Sequence, residues 1–243
     1  MSPDSGRQRN LVFGEDAESY DASRPTYPPG VIDLLVSDSP ADAVDVGCGT
    51  GKAARLVAAR GVAVQGLEPD ARMADIARRH GIPVTVTTIE EWDPTPCDLL
   101  YAGQAWHWVQ FDLAAQRAAG ALRPGGRWAA FWNDELESEP MAAVRRIYQE
   151  VAPHLITDRA RHEDRAMYAE IVRAIEVTNA FAPVTRADVR WTDELVADVF
   201  VRRLSTKSSH RLLAPDLADR LHTELLDALG SAAGCCDVNG AAS

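Results

Sequence analysis

The sequence predicts an α/β fold: a doubly wound, mostly parallel sheet with helices on both faces. Three observations predict it. From residue 43 to residue 133, short apolar segments alternate with amphipathic segments of helical length. Gly61, Gly81 and the run Arg123-Pro124-Gly125-Gly126 stand where those helices should stop. The first apolar segment, Val44-Asp45-Val46, runs directly into Gly47-Cys48-Gly49-Thr50-Gly51. A strand feeding a glycine turn and then a helix opens a βαβ unit, and parallel strands require such crossovers.

The elements follow in order. Residues 43–46 form the first strand, and a helix over 52–60 stops at Gly61, which takes a left-handed cap without a Cβ penalty. Residues 62–68 make the second strand, ending on the carboxylate of Glu68. Asp70 caps the next helix, which runs to His80 and is ended by Gly81 and Pro83. The β-branched run 84–89 is the third strand and 98–102 the fourth. Asp112 starts a helix that ends before the Arg-Pro-Gly-Gly run, and 127–132 is the fifth strand.

Beyond residue 133 the pattern changes. Two helical stretches, 137–151 and 163–177, read as an insertion after the fifth strand, either a lid over a substrate or a cover for an exposed sheet face. Residues 183–191 read as a sixth strand, followed by a helix near 193–204. A last helix, 216–229, carries Leu217, Leu221 and Leu225 on one face and ends at Gly230. The chain then divides into an N-terminal helical segment (1–40), a cofactor-binding α/β core (41–133), a helical insertion or substrate cap (134–182), the rest of the domain (183–229) and a flexible tail (230–243).

At 243 residues the chain can bury a full core as one decorated domain. A net charge of −11 disfavours nucleic acid and anionic membranes as partners, since neither supplies counter-charge. No apolar run reaches the roughly 18 residues of a membrane span, and the polar stretch from Ser2 to Asn10 lacks the apolar core of a signal peptide. The expected location is the cytoplasm. Four cysteines show neither Cys-x-x-Cys spacing nor a histidine partner, so no metal site is expected.

Glycines 47, 49 and 51 let the backbone take positive φ and let a ligand approach the main chain. Glu68 lies 21 residues beyond Gly47, about where such units place an acid on a ribose diol. Together they predict an adenosine-type cofactor. A dinucleotide site, as in an NAD(P)-dependent oxidoreductase, uses Gly-x-Gly-x-x-Gly over a pyrophosphate. Here the spacing is Gly-x-Gly-x-Gly, with Lys52 and Ala53 just beyond.

With Asp45 two residues before Gly47, this turn resembles the first motif of the Rossmann-like class I S-adenosylmethionine-dependent methyltransferases. Phe13, Ala17 to Asp21 and Arg24-Pro25-Thr26-Tyr27-Pro28 are similar to the N-terminal segment of the trans-aconitate methyltransferase group. Gly103-Gln104-Ala105-Trp106-His107-Trp108 resembles the segment closing that group's fourth strand, and Leu122 to Arg127 the start of its fifth. Leu204-Ser205-Thr206, Ser208-Ser209 and Leu212-Leu213 resemble a late helix–turn, so the likeness covers about residues 13–229. It implies methyl transfer from S-adenosyl-L-methionine to a small-molecule acceptor, with a carboxylate or hydroxyl oxygen leading, and S-adenosyl-L-homocysteine as product.

The resemblance also assigns roles. Gly47, Gly49 and Gly51 would give close backbone approach, and Glu68, followed by Pro69, would grip the ribose. Asp45 would reach the methionine amino group or fix the turn. Ile89 and Glu90 would read the adenine edge, with Met73 or Trp92 on a ring face, although Trp92 also suits the core. Gln104 and Ala105 would lie beside the methionine tail and reactive sulfur. Tyr20, Arg24 and Tyr27 would close over the cofactor, and a guanidinium at Arg24 suits the methionine carboxylate.

His107, between Trp106 and Trp108 at the pocket mouth, is either a general base or a packed structural residue. A carboxylate acceptor needs no base, and Arg202, Arg203 or Arg211 could hold it. No Asn/Asp-Pro-Pro-Tyr segment follows the fourth strand, which disfavours amino-methylation of DNA. One departure stands out. The family ends on an antiparallel strand between strands five and six, yet residues 230–243 carry no β-branched or aromatic run. The expectation is that this strand is missing, leaving an open edge suited to a homodimer. A non-catalytic S-adenosylmethionine-binding protein is then a further alternative.

Overall fold

The computed structural model describes residues 17–24, 26–155, 158–205, 210, 213–230 and 236–242. Two helices, α1 (Ala17–Ser23) and α2 (Pro29–Leu35), precede a parallel sheet. The sheet comprises β1 (Asp42–Val46), β2 (Ala63–Leu67), β3 (Val84–Thr85), β4 (Cys97–Gly103) and β5 (Leu122–Phe131), in the order β3-β2-β1-β4-β5. Helices α3 (Lys52–Ala58), α4 (Ala71–Arg79) and α5 (Phe111–Ala121) provide the crossovers. The chain winds outward from β1 in one direction and resumes at β4 in the other, so a crevice opens at the carboxyl ends of β1 and β4.

Side-chain alternation divides the sheet into two faces. Ala43, Leu99 and Tyr101 join Val31, Ile32, Leu35 and Val57 in one core cluster, beneath α2 and α3. Val44, Val46, Leu100 and Ala102 join Leu67, Trp106, Ala114, Ala118 and Ile175 in another. The third strand is shorter than the β-branched run 84–89 suggests, because it lies at the sheet edge and pairs only with β2. The fifth is longer: the ladder to β4 shifts register between Cys97 and Leu99 and so accommodates Pro124, Gly125 and Gly126 within β5.

The insertion helices do not act as one unit. α6 (Glu139–Val151) packs with α8 (Ala197–Ser205) and α9 (Pro215–Gly230), where Val144, Phe200, Leu204, Leu221 and Leu225 form a separate cluster. α7 (Asp158–Val177) instead lies on the sheet face beside α5, burying Ile171, Ala174 and Ile175 there.

The final antiparallel strand is present, which corrects the expectation drawn from the tail. After β6 (Asn133–Glu135), which continues β5 beyond Trp132, and β7 (Val189–Leu195), the chain returns as β8 (Cys236–Ala242). β8 lies antiparallel between β6 and β7, with Ala242 opposite both Asn133 and Val189, and Cys236 opposite Leu195. A strand bordered on both sides gains two backbone ladders, and those bonds come from the main chain whatever the side chains are. Low β-propensity therefore did not prevent pairing. The open edge that motivated the homodimer is covered. Among the described residues no helix is long and apolar enough to cross a membrane, and no cluster of three metal-ligating side chains occurs.

Candidate active site

The site begins with the turn after β1. Gly47, Gly49 and Gly51 all have positive φ, at 66°, 57° and 80°. The N–H groups of Gly47 and Cys48 both donate to the Leu67 carbonyl, at 2.8 and 3.0 Å, tying the turn to the end of β2. A Cβ on Gly47 would stand 2.6 Å from the Ala105 Cβ, so the turn after β1 presses against the loop after β4. Gly66 makes the same kind of room below: a Cβ there would meet the Cys48 sulfur at 2.4 Å.

Glu68 ends β2 inside this arrangement, only 8% exposed. Gly49 N–H donates to its Oε2 and Asp70 N–H to its Oε1, each at 2.9 Å. Burial pushes the Glu68 pKa up to about 7, against the opposing pull of those two amides. Pro69, half-buried between Glu68 and Asp70, separates the carboxylate from the helix cap. Each Glu68 oxygen retains a lone pair beyond its amide bond, which a ribose diol can fill.

Asp45 lies deeper, 1% exposed at the end of β1. Burial raises its pKa well above the usual carboxylate range; the Tyr101 hydroxyl and the Ala54 amide oppose the shift, and the charge of Glu68 adds to it. Its Oδ2 is buried and has no hydrogen-bond partner among the described residues. Met73 places its terminal methyl about a van der Waals contact, 3.5 Å, from the position of a Cβ on Gly49. Ile89 and Trp92 are core residues, 1% and 5% exposed, in the cluster with Leu67. Glu90 accepts from Gln110 N–H at 2.7 Å and so anchors the start of α5.

The segment around α1 sits over the turn. Thr50 donates its hydroxyl to Asp21 at 2.6 Å, and Arg55, Lys52 and His80 lie 3.1, 3.8 and 3.2 Å from the same carboxylate. Burial works to raise the Asp21 pKa, but the Thr50 bond and the neighbouring cations outweigh it and lower the pKa. Sequence reasoning passed over Asp21, although an acid in an otherwise polar N-terminal segment opposite Lys52 and Arg55 was there to find. The side chain of Tyr20 lies outside what the structure describes. Arg24 is close enough to His107 for its charge to act on the ring.

At the end of β4, Gln104 adopts φ +60° and donates its backbone N–H to Phe131 at 2.9 Å. Its side-chain amide donates to the Asn133 carbonyl at 3.3 Å, and Asn133 donates to the Thr26 carbonyl at 3.3 Å. These links seat Thr26 over the ends of β4 and β5. Tyr27 fills the space beside Gly103, with its ring edge-on to Phe131 at 4.9 Å. A non-glycine residue at positive φ in the crevice is strain held in place by its neighbours.

Trp106 is not at the pocket mouth. It is fully buried, edge-on to Trp128 at 5.2 Å, and belongs to the core. His107 follows it on a short 3-10 turn, its ring 4.6 Å from that of Trp108. Trp132 donates its indole N–H to His107 Nδ1 at 3.1 Å. Burial, and secondarily the charge of Arg24, pushes the His107 pKa down to about 4. Trp132, which no motif singled out, joins the site because β5 ends beside β4. Of the three candidate arginines, Arg202 is exposed and ion-paired with Asp198, and Arg203 is buried and paired with Asp193 at 2.7 Å. Arg203 lies near enough to Lys52 to influence it electrostatically. Arg211 falls outside the described residues.

Comparison with known proteins agrees with this geometry. Residues 44–130 match the model of a methyltransferase domain. An uncharacterized methyltransferase of Mycobacterium tuberculosis is 32% identical over 209 residues, covering 84% of this chain and 79% of its own. A trans-aconitate 2-methyltransferase of Mycolicibacterium gilvum is 31% identical over 181 residues, covering 72% and 70%. A solved structure of a candidate type II methyltransferase from Anaeromyxobacter dehalogenans superposes with a TM-score of 0.68 at 24% identity, over 90% of this chain and 95% of that one. The crevice between β1 and β4, the three-glycine turn and the amide-held Glu68 thus stand within a known lineage, and the chain belongs to the class I S-adenosylmethionine-dependent methyltransferases.

Proposed function

We propose that this methyltransferase acts on an oxygen, carboxylate or hydroxyl, of a small-molecule acceptor. Its donor is S-adenosyl-L-methionine. When bound, that group supplies a sulfonium methyl: an acceptor lone pair forms the O–C bond as the C–S bond breaks, leaving S-adenosyl-L-homocysteine. The observation that carries the donor side is the Glu68 carboxylate, fixed by Gly49 and Asp70 amides at 2.9 Å beside a turn that a Cβ would fill. The residues fit the group.

In this reading Glu68 holds the ribose hydroxyls, with Pro69 orienting it. The Gly47, Gly49 and Gly51 backbone lies along the donor, Asp45 reaches the methionine amino group or fixes the turn, and Met73 with the Ile89–Glu90 backbone receives the adenine. Gln104 and Ala105 border the reacting end, and Tyr20 and Arg24 close over it. The acceptor enters beside His107, Trp108 and Trp132, where α7 adds an aromatic wall through Tyr168, edge-on to Trp132 at 5.0 Å. Relatives named trans-aconitate 2-methyltransferases make an anionic acceptor the first to try. A surface of net charge −11 keeps nucleic acid out of the proposal, and the cytoplasm is the proposed compartment.

The non-catalytic alternative rested on a missing last strand, and that strand is formed. The test is methyl transfer from radiolabelled donor to a panel containing trans-aconitate, other carboxylates and phenols. Labelled O-methyl product supports the reading. Transfer confined to nitrogen or carbon acceptors overturns the oxygen assignment.

A further inference from the structure

The Trp132–His107 hydrogen bond determines what the histidine can do. An indole N–H is a donor only, so the ring nitrogen it meets must be the acceptor. His107 Nδ1 is that nitrogen, at 3.1 Å. In a neutral imidazole the other nitrogen then carries the hydrogen, which makes Nε2–H a donor. Among the described residues Nε2 has no protein partner, whereas Nδ1 is satisfied.

Acting as a base would require a proton on Nδ1, where it would face the Trp132 N–H. Two donors pointed at one another repel, and the positive charge of Arg24 disfavours a cationic ring further. Burial acts in the same direction. The ring follows the carboxyl end of β4 and is tied to Trp132 at the end of β5, whose own ring lies edge-on to Tyr168 of α7.

We propose that Trp132 fixes His107 as a neutral Nε2–H donor, so that His107 binds and orients an oxygen of the acceptor and takes no proton from it. The inference rests on the reading of this site as the acceptor site. Its chemical consequence is a selection among acceptors. His107 forms no N–H bond during transfer and no proton passes through it, so the site favours an attacking oxygen that arrives ionised. Acceptors whose oxygen is already anionic at working pH are therefore selected over an unactivated alcohol. His107 contacts the acceptor, and Trp132 is a positioning residue acting through it.

The test uses the full chain loaded with S-adenosyl-L-homocysteine and labelled with ¹⁵N-histidine, the His107 signals being assigned by their loss in His107→Gln. The expected result is an unprotonated Nδ1 and a protonated Nε2 throughout pH 5.5–9. Trp132→Phe, which retains the ring against Tyr168 and removes only the N–H, should admit the Nδ1–H tautomer and raise the His107 pKa. An Nδ1–H tautomer in the wild type, or titration near the free histidine value, overturns the proposal. Kinetics with trans-aconitate supply the second arm. Gln places an amide N–H near Nε2 but cannot serve as a base, so His107→Gln should keep the rate within about 10-fold of wild type while His107→Ala loses about 100-fold. Equal losses in both variants overturn the donor role. If wild type fails to methylate trans-aconitate, that counts against the acceptor reading above, and the tautomer measurement alone decides this one.

Discussion

Gly47 and Ala105 meet across the switch point of the sheet, where a methyl group added to Gly47 would stand 2.6 Å from the Ala105 Cβ. The contact couples the three-glycine turn, proposed to receive the donor, to the loop that leads to His107. Two residues 58 positions apart in the chain thus set the width of one crevice.

Gly47→Ala should therefore be costly in two ways. The residue must hold φ +66° with a side chain, and Ala105 must retreat. A loss of about 2–4 kcal/mol in stability is expected, with donor affinity reduced at least about 10-fold. Gly61→Ala supplies the control, for it also sits at positive φ, 90°, but meets nothing within 4 Å. It should cost about 1 kcal/mol and leave affinity unchanged. Chemical denaturation and calorimetry with S-adenosyl-L-homocysteine separate the two.

The raised pKa of Glu68 gives cofactor binding a pH dependence with a definite sign. A diol donates its hydrogens, so it binds the ionised carboxylate better, and binding must expel the proton that burial retains below pH about 7. Affinity should rise as pH increases through about 7, with about one proton released at pH 6. Calorimetry in buffers of different ionisation enthalpy counts that proton. A flat profile would remove Glu68 from the ribose.

Glu68 also acts on stability in the absence of ligand. Its folded pKa, about 7, lies above the ordinary 4.5, so its contribution is most favourable below pH 4.5 and is lost as pH rises through 7. The span is roughly 3 kcal/mol. Asp21, with a lowered pKa, works the other way at acid pH. Comparing denaturation of wild type and Glu68→Ala between pH 5 and 8 isolates the Glu68 term; the difference between them should change with pH in this window.

Asp21 clamps α1 onto the glycine turn through Thr50, Arg55, Lys52 and His80. Asp21→Asn keeps the shape and removes the charge, and should cost about 1–2 kcal/mol. Loosening α1 should also weaken donor binding, because this segment carries Arg24 toward the crevice. Limited proteolysis before and after adding S-adenosyl-L-homocysteine reads this directly: cleavage near residues 17–24 should increase in the variant and be suppressed by ligand in wild type.

Truncation after residue 235 removes β8 and leaves the facing edges of β6 and β7 unpaired. Two exposed edges invite pairing between chains. The truncated protein should melt several degrees lower and associate with increasing concentration, measured by light scattering after size exclusion. A monodisperse truncated chain of unchanged melting temperature would show that β8 contributes little.

What could be read in advance depended on how local the cause was. The strand–turn–helix at β1, the Asp70 cap, whose carboxylate accepts from Arg72 N–H at 2.9 Å, and the helix stops at Gly61 and Gly81 follow from backbone conformation within a few residues. The glycine spacing and Glu68 pointed to the donor for the same reason. The strand β8 was misjudged because propensity weighs side chains, whereas a strand between two waiting edges is held by its backbone. Trp106 was misplaced because its motif gives its position in the chain and not the direction its ring takes, which is inward against Trp128.

By itself, then, the sequence determined the doubly wound core and the class of cofactor, and it singled out Glu68 as the carboxylate proposed to address it. Only the tertiary structure decided that Asp45 is buried, that Asp21 clamps α1, and that Trp132 meets His107 at Nδ1. The physical reason is sequence distance. Turns and caps are satisfied by neighbours along the chain. The protonation state of a buried histidine is set by whichever donor the sheet order brings alongside it, and β5 brings Trp132.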